Sequence, residues 1–174
     1  MTAPSRPAVP LKLVVMGVAG CGKSSVGAAL AAQIGASYRD GDDLHPAANV
    51  AKMSRGEALT DADRWPWLAL VGEALAEPGR RIIGCSALKR SYRDRITEAA
   101  GGRVTFVHLA GSYELIKARM DARTGHFMPP SLLTSQFDAL EPPAADENAV
   151  VVSIDQPLGA IVDAIVARLG QDCR

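Results

Sequence analysis

The sequence predicts an α/β domain in which helices cover both faces of a parallel sheet. Three observations carry this. Short apolar runs recur along the 174 residues, separated by amphipathic segments of helical period. The runs lack the apolar–polar alternation of half-exposed strands, so they read as strands buried on both faces. The distinctive polar clusters follow the strands, where open α/β sheets place their ligands. Residues 11–174 read as one domain and residues 1–10, rich in proline, as a flexible tail.

The first strand is LKLVVM, 11–16, and a helix follows over 24–35, with Gly35 at its end. ASYRD, 36–40, is the second strand, and Pro46 opens a short helix over 46–54. The next helix spans 61–79, with Asp61 as its N-cap and Pro78-Gly79 as its stop. Pro66 is tolerable there in the first turn or at a kink. The third strand is RRIIGC, 80–85, and a charged helix over 88–100 ends at Gly101-Gly102. The fourth strand is 103–110. Ser112 caps a helix over 112–123, whose first turn carries Glu114 at the positive end of the helix dipole. The fifth strand is 149–154, and a closing helix spans 157–170.

Composition narrows the function. The formal net charge is +0, so no basic field attracts nucleic acid and no acidic tail seeks a basic partner. Hydrophobic residues make up 48%, which argues against disorder. The longest apolar stretches are too short to cross a bilayer, and MTAPSRPAVP lacks the apolar core of a secretory signal. Three cysteines without a C-x-x-C pair fit a reducing, cytoplasmic setting. His45, His108 and His126 show no metal-ligand spacing with them.

GVAGCGKSS follows the first strand and opens the first helix. Gly17, Gly22, Lys23 and Ser24 fit G-x-x-x-x-G-K-[ST] in the context that motif requires. The backbone of Gly17, Val18, Ala19, Gly20, Cys21, Gly22, Lys23, Ser24 and Ser25 is expected to cradle the phosphates of ATP. Lys23 supplies charge to the β/γ-phosphates and is expected to be catalytic; Ser24 offers its hydroxyl to Mg²⁺. Cys21 is either a small filler or a thiol acidified by loop N–H groups and Lys23. A GTPase N-K-x-D and a transporter L-S-G-G-Q signature are absent, which favours a small-molecule or nucleotide kinase.

RDGDDLHP, 39–46, ends the second strand. If extended, it turns Asp40 and Asp42 to the same side, near the metal and the acceptor hydroxyl. Asp40 would organise the metal and its water. Asp42 would accept the hydroxyl proton. A solvated Asp-Gly turn is the plainer alternative.

From here the resemblance is specific. MGVAGCGKSSV, DGDDLHPAANVAKMSRGEALTDADRWPWL, CSALKRSYRDRI, RTGHFMPPSLLTSQFDALEPP and SIDQPL, in that order over about residues 13–160, resemble the gluconokinases. These belong to the small, shikimate-kinase-like P-loop kinases. The resemblance implies a P-loop kinase fold with sheet order 2-3-1-4-5. It further implies ATP-dependent phosphorylation of the terminal hydroxyl of D-gluconate to 6-phosphogluconate, and a homodimer.

The residues suit that acceptor. A polyol acid needs hydrogen-bonding side chains and a cation. Arg64 in DRWPWL is the candidate for its carboxylate, because a guanidinium matches the fork geometry; an ion pair with Asp61 or Asp63 is the alternative. His45 and Lys52 are placed to reach the hydroxyls or the carboxylate, while Trp65 and Trp67 read as packing. No acidic Walker B residue follows the third strand in CSALKR, so metal binding leans on Ser24, Asp40 and water. Ser86 and Lys89 are further substrate contacts. Arg90, Arg93 and Arg95 read as a solvated helix face.

A mobile lid is expected over about 120–136, with Gly125 and Pro129-Pro130 flanking a polar tip. Arg123 would spread charge on the transferring phosphoryl group, and Arg119 would lie against adenine. His126 and Phe127 match the family's HF pair. Asp155, Gln156 and Pro157 would border adenine through their backbone, Asp155 alternatively capping the last helix. The rivals are a shikimate kinase, a nucleoside monophosphate kinase and a non-catalytic ATP-binding switch.

Overall fold

The computed structural model describes residues 11–123 and 130–171. The expected tail over 1–10, the lid positions Gly125, His126, Phe127 and Pro129, and Cys173 lie outside them.

Five parallel strands form one sheet: β1 (Leu11–Met16), β2 (Ser37–Asp40), β3 (Arg80–Gly84), β4 (Thr105–Ala110) and β5 (Ala149–Ser153). Their order is β2-β3-β1-β4-β5, as the resemblance implied. The apolar run of β1 explains its central place. Val14 pairs in register with Ile83 on one side and Phe106 on the other, and Leu13 to Met16 are fully buried.

Successive residues of β1 serve opposite cores. Leu13 and Val15 pack with α1 (Lys23–Ile34), α5 (Tyr113–Asp121), α6 (Pro130–Ala139) and α7 (Leu158–Gln171). Val14 and Met16 pack with α3 (Asp61–Ala76) and α4 (Arg90–Ala100). The expectation of strands buried on both faces fails at the edges. β2 alternates exposed and half-buried residues, and Val151 of β5 is 43% exposed, because an edge strand lacks a neighbour to crowd it.

Several boundaries differ from the sequence reading. Thr60, not Asp61, caps α3: its side chain accepts from the Asp63 N–H while Asp63 accepts from the Thr60 N–H, a complete capping box. Asp61 is the first helical residue, where a carboxylate still favours the dipole. Pro66 falls in the second turn rather than the first. Ser112 caps α5 as expected, accepting from the Leu115 N–H at 3.1 Å. Helix α6 was not expected, because Pro129-Pro130 reads as a break; Pro130 instead begins the helix, the position where proline costs least. Leu133 of α6 is 2% exposed and anchors the helix in the core. A short helix α2 (Ala47–Ser54) precedes α3.

The carboxyl ends of the strands meet at one edge of the sheet. Two short links bind them into a unit: the Gly17 N–H donates to the Ser86 carbonyl at 3.2 Å, and the Cys85 N–H to the Val15 carbonyl at 3.0 Å. A Cβ added to Gly41 would stand 2.5 Å from the Gly84 carbonyl oxygen, so glycine there lets the chain after β2 lie directly on β3.

Candidate active site

The loop between β1 and α1 forms the floor of a cleft of about 280 Å³. Gly22 caps α1 at φ +98°, a conformation a side chain rarely adopts. Ala19, Gly20, Gly22, Lys23, Ser24 and Ser25 all line this cleft. The Lys23 ammonium donates to the Gly17 and Val18 carbonyls at 3.0 and 3.1 Å.

Cys21 is 1% exposed. Burial raises its thiol pKa, and the opposing pull of Lys23 is smaller. Burial thus opposes the acidified-thiol reading of Cys21 and favours the small-filler one: Lys23 and the loop N–H groups act on the thiol, but desolvation outweighs them in the apolar cluster it joins.

The opposite wall comes from β2. The chain does not stay extended past Asp40, as the sequence reading supposed. It turns into a 3₁₀ turn over Gly41–Leu44, capped by Asp40, whose carboxylate accepts from the Asp42 N–H at 2.9 Å. Both carboxylates nonetheless line the cleft. The turn, rather than strand pleat, brings them together. The Asp42 side chain is 80% exposed into the cleft. The surrounding walls still thin its hydration, and this, followed by the Asp40 charge, raises its carboxyl above the ordinary range.

His45 follows the turn. Its Nε2 stands 3.8 Å from Asp42 Oδ1, and its ring stacks on Trp67 at 4.1 Å and 18°. Trp67, 4% exposed, is held in turn by its indole N–H donating to the Gly41 carbonyl at 2.8 Å. Packing is its role, as expected, but it packs directly beneath the site. Burial lowers the His45 pKa, so the ring is neutral near pH 7.

The third contribution follows β3. Ser86 lines the cleft. Ala87 behind it adopts φ +43°, a strained conformation for a residue with a Cβ. Arg93 holds it there. Its guanidinium donates to the Ala87 and Leu88 carbonyls at 2.9 and 3.3 Å and to the Glu141 carbonyl at 3.0 Å. It pairs with Glu147 at 2.7 Å. The two side chains are 2% and 9% exposed. Arg93 is therefore not part of a solvated helix face. Its carboxylate partner lies 54 residues away, which no local pattern shows. Arg90 and Arg95, as expected, make exposed pairs with Asp146 and Glu98.

The remaining predicted acceptor residues form a second group beside this wall. Lys52 pairs with Asp63 at 2.7 Å, and the pairing holds the Asp63 carboxyl down to about 2. Asp61 accepts a short hydrogen bond from the Tyr92 hydroxyl and pairs with Lys89 at 3.6 Å. With both neighbouring carboxylates engaged elsewhere, Arg64 pairs with neither. It donates to the Leu59 carbonyl at 3.2 Å and lies over the Tyr92 ring at 5.6 Å. It also donates to the Tyr92 hydroxyl at 3.5 Å, and among the described residues no carboxylate stands within ion-pair distance of it, Asp61 acting on it only from farther away.

A second cavity of about 520 Å³ shares Gly20, Gly22, Ser25 and Arg123 with the first. Of the residues expected to border adenine, Arg119, Gln156 and Pro157 line this cavity and Asp155 is not among its lining residues. Arg119 is aimed by donation to the Ile154 carbonyl at 2.6 Å. Asp155 does not cap α7 with a described contact, its own N–H donating back to Ser153 at 3.2 Å. Arg123, exposed at the end of α5, faces both cavities.

Two wall residues escaped the sequence reading. Gln136 of α6 accepts from the Ala19 N–H at 2.6 Å and ties α6 to the phosphate loop. It stands 117 residues from its partner, and only its place in the LLTSQF stretch marked it. Asn49 of α2, 4% exposed, bonds both His45 and the Asp63 carbonyl. A polar residue within an apolar helical face was its only signal.

A phosphate loop at a helix start, facing two carboxylates across a cleft, defines a small-molecule kinase of the P-loop class. The family model for shikimate kinase matches residues 19–167, and the crystal structure of shikimate kinase from Aquifex aeolicus shares the fold at a TM-score of 0.62 and 16% identity, covering 94% of this chain and 98% of that one. Nearer relatives narrow the class. The chain is 45% identical to the thermoresistant gluconokinase of Escherichia coli K12 over 86% of its own length and 87% of that protein's. It is 50% identical to a gluconokinase from Sinorhizobium meliloti 1021 of known crystal structure, with a TM-score of 0.86 and coverage of 94% and 95%. The chain belongs to the gluconokinase family.

Proposed function

We propose that this protein transfers the terminal phosphoryl group of ATP to the C6 hydroxyl of D-gluconate, giving 6-phosphogluconate and ADP. One observation carries the acceptor choice: Asp42 lines the cleft with the phosphate loop, while Arg64, with no carboxylate in ion-pair distance among the described residues, lies near enough to His45 for its charge to act on that ring. A polyol ending in a carboxylate answers both.

The chemistry follows from the walls. The acceptor oxygen forms a bond to the γ-phosphorus as the bond to the β,γ-bridging oxygen breaks. The hydroxyl proton passes to the Asp42 carboxylate, whose affinity for a proton is raised above the ordinary carboxylate range. Lys23 and Arg123 stabilise the charge spreading over the phosphoryl oxygens. Arg119, Gln156 and Pro157 accommodate the base. His45, Ser86, Lys52 and Lys89 meet the polyol, Lys52 and Lys89 bringing along their carboxylate partners as further acceptors of hydroxyl protons.

The donor set fits Mg²⁺. The Ser24 hydroxyl and Asp40 carboxylate line one cleft as hard oxygen ligands. Among the described residues no group of three or more His, Cys, Asp or Glu side chains forms a cage. Mg²⁺ is typically held by one or two protein oxygens with phosphate and water; it would supply charge neutralisation on the triphosphate. The reading keeps the 120–136 region as a lid over that cleft; the bond between Gln136 and Ala19 sets α6 against the phosphate loop.

No described helix is long and apolar enough to cross a membrane. A cytoplasmic homodimer completes the reading, and light scattering of the purified protein tests the dimer. The deciding assay measures ADP release with gluconate, shikimate, AMP or no acceptor. Turnover with gluconate alone is expected. Turnover with shikimate or AMP instead, or with no acceptor at all, overturns the reading.

A further inference from the structure

The amide of Asn49 lies between His45 and a backbone carbonyl. Asn49 Nδ2 lies 3.0 Å from the Asp63 carbonyl oxygen, a group that only accepts, so the nitrogen is assigned by its partner. That same nitrogen lies 3.3 Å from His45 Nδ1. An amide nitrogen has only protons to offer, so the facing ring nitrogen must be bare. A neutral imidazole then holds its single proton on Nε2. Nε2 is the atom that faces Asp42 Oδ1 at 3.8 Å. The Trp67 stack prevents the ring from escaping this choice by tilting away.

We propose that Asn49 is a positioning residue for phosphoryl transfer: it fixes His45 as the Nε2–H tautomer, so that the ring presents a donor to the Asp42 carboxylate and orients it. This rests on the reading of Asp42 as the base. The opposite tautomer would set a nitrogen lone pair against a carboxylate oxygen and push the base out of line. At 3.8 Å the contact is longer than a hydrogen bond, and it closes as the acceptor enters, as catalytic contacts commonly do. Held through Oδ1, Asp42 keeps Oδ2 for the acceptor hydroxyl.

The test begins with the ligand-free wild-type protein, uniformly labelled with ¹⁵N. Ring-nitrogen spectra at neutral pH separate protonated from bare nitrogens, and a His45→Gln sample identifies the His45 signals. Nε2 protonated and Nδ1 bare is the expected result; the reverse overturns the proposal without any variant having to fold. Asn49→Asp then replaces donor by acceptor and should place a proton on Nδ1. In that variant kcat should fall roughly 10–100-fold, the range typical of a lost orienting partner, with KM for ATP kept. In a His45→Gln background the same substitution should cost less than about twofold, since its intermediary is gone. An equal loss in both backgrounds would show a merely structural role. The spectra do not depend on which acceptor is used, so a wrong acceptor assignment and a wrong tautomer are told apart.

Discussion

The phosphate loop and the acceptor wall face each other across one cleft, yet they are built by different means. The loop is made of consecutive residues that turn on glycine, and Ala19, Gly20 and Gly22 to Ser25 line the cleft from one short stretch of chain. The acceptor wall is made of side chains from β2, α2, α3 and the segment after β3. They are held by Trp67 under His45, Asp63 on Lys52, Asp61 on Tyr92 and Lys89, and Arg93 on Glu147. A backbone cradle suits the donor, whose phosphates differ little from kinase to kinase. A side-chain wall can be rewritten residue by residue, which is how one fold serves many acceptors.

If this contrast holds, the greatest effect comes from the one acceptor-side group that meets the reacting oxygen. Asp42→Asn should lower kcat by about 10²–10⁴-fold while leaving the Kd for ATP, read by calorimetry, within a few-fold of wild type. Burial raises the Asp42 pKa, so its ionisation opposes folding. That group's contribution to stability is present below the unfolded pKa and lost as pH rises through the folded one. The variant should therefore melt no lower than wild type at neutral pH. Normal turnover would break the assignment.

Arg93→Met tests the wall's support rather than its chemistry. It leaves Glu147 buried without its partner and the strained Ala87 without its clamp, and should cost about 3–5 kcal/mol in urea unfolding. Adding Glu147→Leu should recover part of the stability. Activity should not recover with it, because the carbonyls after Ser86 remain unheld.

Arg64→Ala should raise KM for gluconate roughly 10–150-fold, the worth of a charge-assisted contact of about 1.5–3 kcal/mol. KM for ATP should hardly move. Arg64→Lys should restore only part, since an ammonium lacks the fork.

The smallest effect is a shift in pH. The acid limb of kcat/KM should lie above the ordinary carboxylate range, because Asp42 must lose a proton that burial and Asp40 retain. Asp40→Asn removes one of those causes and should move the limb to lower pH. Movement to higher pH would show that another group sets it.

The two regions also differ in how well they could be read. All five strands and the donor loop were legible, since both rest on local patterns: apolar runs, a glycine spacing and a strand-to-helix boundary. Asp40 and Asp42 were found for a reason that proved mistaken, a shared strand face where there is a 3₁₀ turn. Helix α6 was hidden because Pro130, which begins it, reads as flanking the lid tip, and Thr60 was passed over for the neighbouring Asp61 as cap. Arg93 was misjudged because a charged residue on an amphipathic helix is usually solvated, and its carboxylate is far away in the chain.

What the sequence determined by itself is therefore the sheet, the donor cradle and the family, all set by short-range order. Tertiary structure alone decided which charges neutralise one another and which is left for a ligand. Among the described residues Lys52 and Lys89 have carboxylates in ion-pair distance and Arg64 has none; Cys21 is buried. Asn49 stands between His45 and a backbone carbonyl. The physical reason is that a glycine turn acts over a few bonds, whereas burial and ion pairing depend on distances in space that chain order does not contain.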